Sequence, residues 1–274
     1  MPDPRQLPFL LRLLEDDSPE VRGAVMDQFA AFGDALEDHL RGVPLPGDTR
    51  LIRSLLREGR RRRLSAGWAS LAAVSGDKER LEAGHDMLSR FLRPEGGAGT
   101  LTQALDELAG EFNGGLYEKD VLSLSEFLFR IKGMSGAREA YYEPLNSDLL
   151  HVITKREGLP ISLVCVYMLV AHRLGMVVEG CNLPGHFLAL AVHGGRNFVV
   201  DCFNGGVVLL DSDLARLSAP APVRTTDLAG LRCDAGVILS RVLRNLHAAF
   251  RRVDDEQAAE DAALVGKLAA DGIH

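Results

Sequence analysis

The sequence predicts an α+β chain: a mostly helical N-terminal region, a buried helix against a small antiparallel sheet, and a C-terminal helical hairpin. Three observations predict it. Up to about residue 145, apolar residues recur at helical spacing, and glycine clusters separate the runs. Residues from about 160 to 174 are apolar nearly all round, a pattern a helix sustains only when buried. After Gly175, short apolar runs alternate with the turn signals Pro184-Gly185, Gly194-Gly195 and Asn204-Gly205-Gly206.

The N-terminal region divides readily. Leu7, Leu10, Leu11, Leu13 and Leu14 form an apolar stripe, and Ser18-Pro19-Glu20 supplies a cap, a first-turn proline and an early acid. Val21, Val25 and Phe29 continue on one helical face, so the opening is similar to a single HEAT-type helix pair with no sustained repeat after it. Further helices are expected at about 50–74, 77–92, 100–112 and 117–132, with Phe112, Leu116, Leu124, Phe127, Leu128 and Ile131 in the core. The arginines at 50, 53, 57 and 60 to 63 read as the solvated face and end of a helix, with an acidic docking partner as the alternative.

A short helix is expected at 147–156. Gly158-Leu159-Pro160 breaks the chain, and Pro160 opens the apolar helix where its missing N–H is harmless. Strands follow at about 177–182, 186–193, 197–202 and 207–210. A tight turn at Gly194-Gly195 pairs residues whose numbers sum to about 389. Residues 211–233, with Ser218, Pro220, Pro222, Thr225 and Thr226, read as irregular structure, and helices resume at about 234–251 and 254–270.

Composition narrows the function. A net charge of -7 argues against a general nucleic-acid binder. The four cysteines form no C-x-x-C pair, which favours a reducing, cytoplasmic location. The opening MPDPRQLPFL lacks the features of a signal peptide, and the apolar run from Leu163 to Ala171 is too short to span a bilayer. No cofactor, metal or membrane partner is expected, because a zinc site from Cys165, His186 and Asp201 has no ligand spacing behind it.

Three side chains stand in a suggestive order. Ser162 lies in the first turn of the apolar helix, where the macrodipole favours an anion, and Cys165 follows three residues on, sharing its face. His186 opens a strand, and Asp201 ends the neighbouring one, at a level that brings Asp201 or Asn204 near the imidazole. That order of nucleophile, base and orienting carboxylate resembles the one in a cysteine-protease-like or transglutaminase-like core. Against this stands the ordinary reading: a helix-start serine, a buried apolar thiol and a structural histidine. Asn204-Gly205-Gly206 is a weak anion cradle and, by default, a turn.

Tyr141-Tyr142-x-Pro144-x-Asn146-Ser147, Gly158 to Leu163, Arg173-Leu174-Gly175, Leu183 to Phe187 and Asp201-x-Phe203-Asn204-Gly205-Gly206 together resemble the SirB-type transglutaminase-like proteins. Ile238-Leu239-x-Arg241-x-Leu243-x-Asn245-Leu246 resembles the helix that follows the core in that family. The resemblance covers about 140 to 250 and implies a transglutaminase/papain-like core. It carries His186 to the catalytic histidine, Asp201 to the third triad member, and Ser162 to the position of the catalytic cysteine, with Cys165 as the alternative nucleophile. Asn146 and Asn204 become candidate binding residues. The implied domains are 1–135 helical, 136–252 the core, and 253–274 a remnant of a tetratricopeptide-like tail. Family members were first noticed as bacterial regulators, and a related domain occurs in an F-box protein. Two functions follow: a degenerate-site regulatory scaffold with an unknown protein or peptide partner, or a Ser/Cys-His-Asp hydrolase or acyl-transferase acting on an amide or ester carbonyl.

Overall fold

The computed structural model describes all residues except 1–2, 15, 17, 33–34, 41–42, 44–49, 94–98, 184, 218–223, 225–227, 229, 254–255 and 273–274. The turn residues Gly96, Gly97, Ala98 and Pro184, the loop residues Ser218, Pro220, Pro222, Thr225 and Thr226, and Asp254 and Asp255 therefore lie outside the described residues. The chain forms two compact units, Met1–Gly67 and Trp68–His274. The sequence places a boundary near residue 135 instead. Within the second unit, the helices Asp77–Leu92 and Leu101–Gly114 pack against elements that follow residue 135.

In the first unit, α1 (Leu7–Leu13) and α2 (Pro19–Ala31) form the expected opening pair. Ser18 caps α2 by accepting from the Val21 N–H, and Pro19 opens it. With α3 (Leu36–Leu40), these helices bury Leu7, Leu11, Leu14, Val25, Phe29, Phe32, Leu36, Leu40 and Ile52 together. The arginine run lies on α4 (Arg50–Ser70). It is more than a solvated face, since Arg60 and Arg63 both pair with Glu37 and their side chains are largely covered.

The second unit is built around one buried helix. α5 (Asp77–Leu92), α6 (Leu101–Gly114), α7 (Val121–Glu126) and α8 (Leu149–Lys155) surround α9 (Pro160–Arg173). Every residue from Ile161 to Ala171 is buried, as an all-round apolar helix requires. Strand β1 (Ser135–Gly136) pairs in parallel with β2 (Glu157–Gly158) just before it. Then β3 (Val178–Cys181), β4 (Leu188–His193), β5 (Arg196–Asp201), β6 (Val207–Leu209) and, further along the chain, β7 (Arg232–Cys233) form an antiparallel sheet in the order β6-β5-β4-β3-β7. In the β4–β5 ladder, Ala189 faces Val200 and His193 faces Arg196, so each pair sums to the expected 389.

The central strand β4 is buried on both sides from Leu188 to Ala191. Alternation gives its faces different tasks. Leu188 and Leu190 join Val199, Leu214 and Leu228 in a cluster on one side. Ala189 and Ala191 lie on the other side, where α9 packs, and their small side chains let the helix approach. Residues 211–233 depart from the irregular structure expected of them. Helix α10 (Asp211–Leu217) brings Leu214 to the sheet, and β7 (Arg232–Cys233) adds an edge strand on β3. Those short elements close an apolar face that would otherwise be exposed.

Helices α11 (Ala235–Phe250) and α12 (Glu256–Asp271) form the expected hairpin. Gly266 permits their close approach: a Cβ there would lie 2.7 Å from His247 Nδ1, the ring atom that bonds the Ala262 carbonyl at 2.7 Å. Two expected core residues lie outside. Leu116 follows α6 in an open turn and is fully exposed, and Ile131 is mostly exposed. Ile131 ends a π-helical turn over Phe127–Ile131, whose extra residue rotates it off the face that holds Leu124, Phe127 and Leu128.

A buried polar network ties α5 to α8. Asp148 caps α8 through the Leu150 N–H at 3.1 Å, accepts from the Ser89 hydroxyl, and pairs with Arg93 Nε at 2.5 Å. One turn before Ser89, His85 is fully buried, and neither ring nitrogen has a partner among the described residues. Burial pushes its pKa down to about 3. The unfolded chain, with an ordinary histidine value near 6.5, therefore binds the proton first. Stability from this neutral ring is full above pH ~6.5 and is lost as pH falls toward 3. At pH 4.5 the loss amounts to on the order of 2–3 kcal/mol. His85→Leu should remove that share of the drop in urea-unfolding free energy between pH 7 and 4.5, and an unchanged drop would contradict the buried neutral ring.

Candidate functional site

Ser162 lies in the first turn of α9, Asp201 ends β5 and His186 precedes β4; the first two are hydrogen-bonded locally. Ser162 is the third residue of α9 and is fully buried. Its hydroxyl donates to the Asn146 carbonyl at 2.7 Å. Asn146 is equally committed: its Nδ2 donates to the carbonyls of Ala140 at 2.6 Å and Tyr141 at 3.3 Å. Together they form a staple from the buried helix to the Tyr141-Tyr142 loop.

Asp201 closes β5 and is buried. Its Oδ1 accepts from the Asn204 N–H at 3.1 Å, its Oδ2 from Asn204 Nδ2 at 2.7 Å, and its carbonyl from the Gly206 N–H at 2.9 Å. A buried carboxylate demands such donors, and this turn supplies them. Gly206, at φ +73°, could carry no side chain, since a Cβ would lie within 3 Å of both Phe129 and Ser125. The outer oxygen of Asn204 accepts from Arg138.

His186 precedes β4 rather than lying in it. Its N–H donates to the Leu183 carbonyl at 2.9 Å, which closes the turn after β3. The ring is half-buried and makes no hydrogen bond among the described residues. The β4–β5 ladder runs from the pair Ala189–Val200 to the pair His193–Arg196, and His186 lies outside it. No bond joins the ring to Asp201, Ser162 or Cys165 among the described residues.

The cysteines offer no alternative nucleophile. Cys165 is fully buried, and loss of solvent drives its thiol far above the ordinary range. Burial raises Cys202 strongly, aided by the charge of Asp201. It also raises Cys181 to about 11 and lifts Cys233. A thiolate is the reactive form, and all four sites disfavour it. No cluster of three His, Cys, Asp or Glu side chains among the described residues could hold a metal ion.

The surface beside His186 carries residues that sequence reasoning left unassigned. Arg241 of α11 bonds Asn182 and lies 5.2 Å from the centre of the Phe187 ring. Arg138 lies 5.1 Å from the centre of the Phe203 ring, and Arg252 lies 3.4 Å from that of Tyr142. The three arginines come from segments far apart in the chain, so no local spacing announces them.

A comparison with known proteins agrees with this architecture. The model of the transglutaminase-like superfamily matches residues 99–244, and the chain belongs to that superfamily. Within it, the chain is 34% identical over 172 residues to a UPF0162 protein of Xylella fastidiosa strain Temecula1, covering 56% of this chain and 57% of that one. A UPF0162 protein of strain 9a5c is 32% identical over 225 residues, covering 73% of this chain and 76% of the relative. Mouse F-box only protein 21 is 39% identical over 69 residues, covering 25% of this chain and 11% of that protein. No solved structure matches the chain. Among the described residues, no helix is long and apolar enough to cross a membrane.

Two outcomes check this geometry. Asn204→Ala removes the Nδ2 donor from the buried Asp201 carboxylate and should destabilise the protein by about 1–3 kcal/mol in urea unfolding. No change would mean the turn does not depend on that bond. Native protein at pH 8 should react only slowly with a thiol reagent at all four cysteines, and promptly once unfolded in guanidinium. A fast native site would contradict the raised thiol values.

Proposed function

We propose that this chain is a non-catalytic scaffold of the transglutaminase-like fold, acting in the cytoplasm as a regulatory or binding module for a protein or peptide partner. The observation that carries this reading is the Ser162 hydroxyl, whose proton goes to the Asn146 carbonyl inside the protein. A nucleophile needs an adjacent base and access to substrate, and this serine has neither. Cys165, one turn on, is as deeply buried, and burial disfavours its thiolate. The carboxylate that would orient His186 is engaged by its own turn. The helical region before the core, including the opening helix pair, supplies surface for a partner rather than chemistry.

The hydrolase or acyl-transferase reading rests on the order Ser162, His186, Asp201 and on the strand register. It requires Ser162 to turn away from Asn146 and become solvent-accessible. The test is covalent labelling of the native protein by a fluorophosphonate and by iodoacetamide, read by intact mass. No labelling of Ser162 or Cys165 that depends on His186 is expected. Stoichiometric labelling that disappears in His186→Ala would return the enzyme reading.

A further inference from the structure

Resting on the scaffold reading, we propose that the surface formed by Arg138, Arg241, Arg252, Tyr141, Tyr142 and Phe203 docks an acidic segment of a partner protein through its carboxylates. These side chains form a continuous path. Arg138 stacks over Phe203, whose ring lies 6.2 Å from Tyr141 in an edge-on contact. Tyr141 meets Tyr142 at 5.2 Å, and Arg252 lies over Tyr142. Arg241 sits by the Phe187 ring, near enough for its charge to oppose the burial that raises the Tyr141 hydroxyl. Both tyrosines and both outer arginines are exposed.

The polar partners of these arginines point to the occupant. Arg138 and Arg241 bond only the neutral side-chain oxygens of Asn204 and Asn182, and among the described residues none of the three meets a carboxylate. Elsewhere in the same unit, Arg90, Arg93, Arg130, Arg173, Arg216 and Arg232 each face one. A guanidinium beside an aromatic ring still carries donors for a carboxylate, whose geometry its fork matches. Tyrosine and arginine are also the side chains that most often anchor protein interfaces. The staple from Ser162 through Asn146 to the Ala140 and Tyr141 carbonyls fixes the loop that carries both tyrosines, so little conformational freedom is lost on docking.

An extended phosphate backbone fits less well. Glu139 and Glu143 lie in the same exposed loop, and the chain as a whole carries -7. A short acidic segment can meet the arginines singly and pass between those glutamates, whereas a polyanion meets the repulsion along its length.

The test uses the full chain on an array of ten-residue peptides in which Asp or Glu alternates with aromatic and small residues. Matched Asn/Gln peptides and a single-stranded oligonucleotide serve as competitors. Acidic peptides should bind selectively, more weakly as salt rises. The exposed double variant Arg138→Gln/Arg252→Gln should retain the wild-type circular dichroism and lose affinity at least about tenfold. Equal binding of the amide peptides, unchanged affinity in the variant, tighter binding of the oligonucleotide, or no binding at all would each overturn the assignment. Failure here with no labelling of Ser162 leaves the scaffold reading standing. His186-dependent labelling of Ser162 removes that reading instead, whatever the peptides do.

Discussion

The second unit depends on α9 being buried on every side. A helix in that position cannot offer water to any polar group, so each one must find a partner within the protein. Ser162 meets this demand through the Asn146 carbonyl, and Asn146 passes the constraint on to the Tyr141 loop. Tyr167, deeper in the same helix, bonds the Val121 carbonyl at the start of α7. Burial of one helix thus dictates the placement of a loop on one side and a helix start on the other. It also explains why Cys165 behaves as packing: the site that best fits the helix has no solvent for a thiolate.

The sheet answers the same constraint from its own side. Ala189 and Ala191 accept the helix, and Leu188 and Leu190 turn to a second apolar layer that Leu214 of α10 and Leu228 join. At the open end of the sheet, the Asp201–Gly206 turn satisfies its own buried carboxylate. The superfamily fold is therefore present with its helix, strands and turn in place. Of the three side chains that could make a triad, Ser162 and Asp201 are bound into the fold that carries them, and the His186 ring bonds neither. The chemistry left at that end is on the outside, in rings and guanidiniums contributed by the 138–142 loop, the Phe203 turn and α11 with the turn after it.

Much of this was legible in the sequence because it is local. The first helices, the limits of α9, the strands and the β4–β5 register follow from apolar spacing, Pro160 and Gly194-Gly195, and these agree with the structure to within a few residues. Failures came where phase or long-range packing decides. The π-helical turn shifts Ile131 out of the core, and no residue type marks such a turn. Leu214 and Leu228 are apolar residues in a polar, proline-bearing stretch, so only the uncovered sheet face explains their burial. The candidate triad residues could be picked out by type and order. Their partners could not, since the bond from Ser162 goes to a backbone carbonyl, which no sequence pattern displays. Arg138, Arg241 and Arg252 were missed for the related reason that three distant segments meet only in the fold.

The most direct test of the central claim, that Ser162 is a structural staple rather than a nucleophile, is the unfolding free energy of Ser162→Ala. The staple predicts a loss of about 1–3 kcal/mol, because the Asn146 carbonyl is left buried without its donor. A nucleophile held for chemistry stores strain, and its removal leaves stability unchanged or raises it. An equal or greater unfolding free energy in Ser162→Ala would contradict the account.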